Sequence, residues 1–178
     1  MRRAILLLAL IGVLLGCARP ALAQRPGGPP FEKDVTVFVG HTVSFTPPTI
    51  GGAFGGGTPI VRFEVELAAT PGAGTPTRPS GGCICVNVLL QSPREFHAVQ
   101  YYGIGGFGLY GETFGGAGGS GEVIARNIGA GGKIKLLGQL RLRFDYRVFL
   151  LGDTADATPG LALRRHPQRV VAGINYVF

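Results

Sequence analysis

Apolar and polar residues alternate one by one through most of the chain beyond residue 33. In QLRLRFDYRVFL (139–150), Leu140, Leu142, Phe144, Tyr146, Val148 and Leu150 alternate with Arg141, Arg143, Asp145 and Arg147, and no position is out of phase. A period of two belongs to a β-strand whose two faces meet different surroundings. IVRFEVELAA (60–69) sets Val61, Phe63, Val65 and Leu67 against Arg62, Glu64 and Glu66. CICVNVLLQ (83–91) sets Ile84, Val86, Val88 and Leu90 against Cys83, Cys85, Asn87 and Gln91, and NIGAGGKIKL (127–136) sets Ile128, Ala130, Ile134 and Leu136 against Asn127, Lys133 and Lys135. DVTVFVGHTVSF (34–45) has Val35, Val37, Val39, Val43 and Phe45 on one side, and RVVAGINYVF (169–178) has Val170, Ala172, Ile174, Tyr176 and Phe178. HAVQYYGIGGFGLYG (97–111) is aromatic and glycine-rich, and its phase is ambiguous.

Such strands have two physical readings. In a soluble sandwich the apolar face is the core and the charges meet water; in a transmembrane barrel the apolar face meets lipid and the charges point into the lumen. Length favours the barrel, because 12 residues tilted by about 40° project to roughly 30 Å, the thickness of the hydrocarbon core. The connections agree. After residues 60–69 come a long linker (70–82), a short one (92–96), a longer one (112–121), the tight LG (137–138) and a long one (151–168). That alternation of short turns and long loops is the one expected of an outer-membrane barrel. The readable strands (34–45, 60–69, 83–91, 97–111, 122–136, 139–150 and 169–178) number seven, which would leave the two ends on opposite sides of the membrane. An eighth is placed by parity at TIGGAFGGG (49–57), behind the tight TPP (46–48), although glycine is a poor strand former.

Composition supports an all-β chain. Glycine is 31 and proline 13 of 178 residues, and past the first segment no window repeats apolar residues at helical spacing. The glycines have no period of three, which excludes collagen. The first segment is different: Arg2 and Arg3, the apolar run AILLLALIGVLLG (4–16) and ALA (21–23) before Gln24 read as a secretory signal. Cleavage after Ala23 is expected, with cleavage before Cys17 as the alternative. Removing residues 1–23 takes Arg2, Arg3 and Arg19 away and lowers the formal charge from +7 to +4. The expected organisation is a signal peptide (1–23), a flexible lead-in (24–33) and one domain (34–178).

YYGIGGFGLYGE (101–112), NIGAGGKIKL, LRLRFDYRVF (140–149) and VVAGINYVF (170–178) resemble, in order and spacing, the bacterial outer-membrane β-barrel family, the small eight-stranded barrels similar to OmpA and OmpX. The resemblance covers the C-terminal half well and residues 34–91 more loosely. It implies an eight-stranded antiparallel up-and-down transmembrane β-barrel, exported to the cell outer membrane, monomeric, non-enzymatic and without a cofactor. It further implies that Tyr176 and Phe178 form the terminal signal read by the barrel-assembly machinery, and that the surrounding lipid and lipopolysaccharide are partners. Basic residues of the long loops, Arg78, Arg164, Arg165 and His166, are the candidates for lipopolysaccharide head groups.

If the charged faces point inward, the lumen holds Arg62, Glu64, Glu66, Lys133, Lys135, Arg141, Arg143, Asp145, Arg147 and Arg169, seven cations against three anions. An eight-stranded barrel is just wide enough for its own side chains, so an ion-paired plug is expected. A small porin-like channel of weak anion preference is the second reading, and a soluble periplasmic β-sandwich the third.

No other chemistry emerges. GIGGFG (103–108) has the spacing of a dinucleotide loop but no helix follows it, and NIGAGGKI (127–134) lacks the first glycine and the Ser or Thr of a phosphate loop. Two cysteines alone, Cys83 and Cys85, do not make a zinc site, and a disulfide between positions two apart on a strand is geometrically awkward. His41, His97 and His166 lie in separate segments, and His41 and Ser44 fall on opposite faces of a strand.

Overall fold

The computed structural model describes residues 30–43, 47–72, 80–113, 120–151 and 166–178. The expected signal peptide and the loop arginines Arg78, Arg164 and Arg165 lie outside the described residues. The elements are β1 (Glu32–Thr42), β2 (Thr49–Gly57), β3 (Val61–Thr70), β4 (Ser80–Gln91), β5 (Val99–Thr113), β6 (Ser120–Leu137), β7 (Leu140–Leu151) and β8 (Gln168–Val177). Each pairs antiparallel with the next, and β8 closes on β1 through Asp34↔Val177 to Thr42↔Arg169. The described strands make one closed barrel and not two stacked sheets, so the sandwich reading does not hold, and Leu67, Leu90, Phe63 and Ile174 lie on the outside.

Following paired residues once round the wall measures the stagger. Glu32 pairs with Gly57, Gly57 with Arg62, Arg62 with Leu89, Leu89 with Ile104, Ile104 with Gly129, Gly129 with Arg147, Arg147 with Arg169, and Arg169 with Thr42. The path returns to β1 ten residues above its start, which fixes a tilted, tightly closed barrel.

β2 falls where parity places it, and glycine there serves packing. A Cβ at Gly51 would lie 2.4 Å from the Phe38 ring, and one at Gly55 would lie 2.5 Å from the Asp34 carboxylate. β2 therefore contributes little side-chain volume and leaves its neighbours room. Several boundaries differ from the sequence reading: β1 ends at Thr42 and not at 45, and β4 begins at Ser80 and not at 83. β1 begins at Glu32, so Glu32 and Lys33 are strand rather than lead-in. β5 begins at Val99, because His97 and Ala98 (φ 51° and 63°) form a two-residue turn between the paired Phe96 and Val99. Both central residues are left-handed, the geometry of a type I′ hairpin. The β6–β7 turn also shifts by one, to Gly138 (φ 55°) and Gln139.

A lumen closed by ion pairs is the candidate functional site

Alternation carries every second side chain of each strand into the lumen. β3 supplies Arg62, Glu64 and Glu66, β7 supplies Arg143, Asp145 and Arg147, β6 supplies Lys133 and β8 supplies Arg169; all eight are buried. Their ion pairs fall into two groups, one above the other. Near the end where β1 begins and β8 finishes, Arg62 Nη2 lies 2.9 Å from Asp34 Oδ2, and Lys133 Nζ lies 3.3 Å from the same oxygen. Arg62 also reaches Glu32 at 3.3 Å. Above them Arg143 pairs with Glu64 and donates to Asp145 Oδ2 at 2.9 Å. Arg147 donates through Nε to Asp145 Oδ1 at 2.7 Å and ion-pairs with Glu66 Oε2 at 2.7 Å. Arg169 pairs with Glu66 and lies between the rings of Phe38 and Phe149, at 5.5 and 5.0 Å from their centroids.

The arginines of β7 thus cross the lumen to β3, so deleting one partner would leave a buried charge uncompensated. Neutral donors fill the remaining positions. Tyr102 donates to Asp145 Oδ2 at 3.0 Å while accepting from Arg143 Nε at 2.9 Å. Asn127 donates to Asn87 Oδ1 at 2.9 Å, and Asn175 to the Thr36 hydroxyl at 2.9 Å. Toward the loop end lies a cluster of Cys83, Cys85, Tyr110, Ala125 and Phe149, and across from it the hydroxyls of Thr42, Thr49 and Thr70 form a chain with links of 2.7 and 2.6 Å; Tyr110 donates to the buried Glu112 at 2.9 Å. The two cysteines are buried, free of any disulfide and on the inner face.

Two of the ten expected lumen charges are not enclosed. Lys135 is exposed and Arg141 half-buried, the latter donating to the Gln100 amide oxygen at 3.2 Å. Both sit at the terminal mouth, where the wall ends and a register shift between Lys135 and Leu137 loosens the pairing. Asp34 and Glu112, by contrast, are buried and escape the sequence reading. Asp34 is detectable as the position opposite Val35; Glu112 and Tyr102 are hidden by the ambiguous phase of β5. Among the described residues the enclosed charges are therefore five cations (Arg62, Lys133, Arg143, Arg147, Arg169) and five anions (Asp34, Glu64, Glu66, Glu112, Asp145). The surplus of positive charge behind the anion preference is absent from the enclosed set.

Little space remains. A cavity at the loop end, lined by Thr42, Thr49, Thr70, Cys83, Tyr110 and Arg169 among others, has about 10 Å³, room for roughly one water. On the outside, Val61, Phe63, Val65, Leu67, Ile84, Val86, Val88 and Leu90 are all exposed, as expected of a wall bathed in lipid. No helix among the described residues is long and apolar enough to cross a membrane.

A closed eight-stranded wall, apolar outside and ion-paired inside, is the architecture of the small outer-membrane β-barrels. No protein-family model matches the sequence and no curated protein matches it. Among solved structures the chain is similar to the N-terminal β-barrel domain of OprF from Pseudomonas aeruginosa, with TM-score 0.62 and 13% identity over 83% of this chain and 97% of that one. It is also similar to a major outer membrane protein from Thermus thermophilus, with TM-score 0.55 and 12% identity over 83% and 99% of the two chains. At such identities the likeness is one of fold.

Proposed function

We propose that the protein is a non-enzymatic outer-membrane barrel that acts as a membrane-embedded scaffold and surface-binding element, and not as a pore. The observation that carries this reading is the lumen, where five cations and five anions are enclosed among the described residues, nine of them in two sets of ion pairs, and where the cavity at the loop end has room for about one water. An ion would have to break several buried pairs at once to pass, and each exposes an uncompensated charge in low dielectric. The partners that go with this role are outer-membrane lipid, lipopolysaccharide and, through Tyr176 and Phe178 at the end of β8, the barrel-assembly machinery. Both aromatics lie on the outer face, their ring centroids 6.1 Å apart.

The test has two parts. Cell fractionation with gel mobility before and after boiling should place the protein in the outer membrane and give two bands. Planar-bilayer recording of the folded band should then show no sustained conductance. A stable open channel of either selectivity would contradict the plug and restore the porin-like reading.

A further inference from the structure

The stagger of ten residues over eight strands lifts the line of paired residues by about 1.25 residues per strand, which permits outward side chains to be compared by height. Lys33, on β1, stands one residue above Glu32. Between its level and that of His41, eight residues higher on the same strand, no outward-facing strand position carries a charge: the wall there is Val, Ile, Leu, Phe, Tyr, Ala and Gly. At about 2.5 Å of height per tilted residue that band is roughly 20 Å tall, and adding the reach of the flanking side chains gives the roughly 25 Å of an outer-membrane barrel.

The upper border is lopsided. His41 on β1, Gln168 on β8 and Arg126 on β6 come to nearly the same height, all exposed and outward-facing. On the other side of the barrel the outward residues at that height are Ile50, Ala69, Ile84 and Leu109. Arg126 is flanked across the strands by exposed Phe107 and Leu150, so neither cross-strand neighbour offers it an ion pair. Gln168 accepts from the Tyr146 hydroxyl at 3.0 Å through Oε1, which directs its amide hydrogens elsewhere. Three donor-bearing side chains thus stand at the edge of the hydrocarbon on one flank only, a position where phosphate is the available acceptor and arginine its best partner.

We propose that Arg126, Gln168 and His41 form a binding flank for the phosphate groups of lipopolysaccharide in the outer leaflet, while β2–β5 present a plain apolar flank. This deepens the outer-membrane reading above and rests on it, since that reading puts the loop end outward. It also moves the lipid contact from the long loops to the wall.

The test uses full-length protein folded into phosphatidylcholine vesicles, either with lipopolysaccharide or with phosphatidylglycerol, followed by mild extraction and measurement of anionic lipid retained per barrel. Arg126→Leu is expected to retain lipopolysaccharide about fivefold less well, the loss of one cation beside an anionic surface. Arg126→Lys should stay within about twofold of the parent, and Lys33→Leu, at the opposite border, should change nothing. Heat-modifiable mobility confirms that each variant is folded. Equal retention by Arg126→Leu, or an equal loss in Lys33→Leu, overturns the proposal. An Arg126→Leu loss as large with phosphatidylglycerol overturns the assignment to lipopolysaccharide. If the parent protein itself fails to insert or shows no second gel band, the outer-membrane reading has failed instead.

Discussion

β7 and β2 belong to the same wall and meet opposite demands. β7 (LRLRFDYRVFL and Leu151) sends Arg143, Asp145, Arg147 and Phe149 inward, every one of them buried. β2 (TIGGAFGGG) sends inward little beyond Thr49 and Ala53. The long side chains of β7 reach across to Glu64 and Glu66 on β3 and, through Arg143 Nη1 at 3.4 Å, to Thr36 on β1, the two strands that flank β2. A barrel of eight strands has a fixed, small interior, so volume spent by one strand must be released by another. Glycine in β2 is therefore the packing complement of arginine in β7.

Several substitutions break or sharpen that contrast. The largest effect is expected from Arg147→Met, which removes a cation from Asp145, Glu64 and Glu66 together. Urea unfolding in vesicles should show a loss of about 3–5 kcal/mol, because Asp145, Glu64 and Glu66 are left sharing only Arg143 and Arg169, with one buried negative charge uncompensated; a change under about 1 kcal/mol would mean that the network contributes little. Next is Gly51→Leu, where the new side chain enters the space of the Phe38 ring and crowds the Leu67 carbonyl oxygen, the second of which no change at Phe38 relieves. Overpacking of this kind costs about 1–3 kcal/mol, and pairing it with Phe38→Ala should recover part of the loss, which a double-mutant cycle measures.

A smaller gain is expected at the β4–β5 turn. Replacing His97 and Ala98 by Asn and Gly suits two left-handed positions and should stabilise by about 1 kcal/mol, visible as a higher urea midpoint. Smallest is Gly103→Ala, an outward glycine whose added Cβ would meet nothing within 4 Å. Its stability should move by less than about 0.5 kcal/mol, as for an unconstrained surface position; a large shift there would show that glycine in this barrel is needed for something other than room.

Legibility follows the same division. β3, β7 and β8 are readable to within a residue or two because charged or polar residues mark the inward face of each: Arg62, Glu64, Glu66, Arg143, Asp145, Arg147, Arg169 and Asn175 all lie inside. β2 can be placed only by parity, since glycine records no face. β5 conceals Tyr102 and Glu112 for the same reason, with Gly103, Gly105, Gly106 and Gly108 interrupting the alternation. Lys135 and Arg141 are in the right phase but at the mouth, and phase carries no information about where the wall stops. The charge balance depends on these two kinds of error, since two cations lie at the mouth and two anions go uncounted.

The account stands on the facing of the strands, and a nitroxide moved one residue at a time along β3 from 61 to 67, in protein folded into bilayers with Cys83 and Cys85 replaced, tests it most directly. Collision with dissolved oxygen should peak at positions 61, 63, 65 and 67 and fall at 62, 64 and 66, with little access for a water-soluble nickel complex at 63 and 65. Oxygen maxima at 62, 64 and 66, or nickel access at 63 and 65 equal to that of an exposed turn, would contradict it.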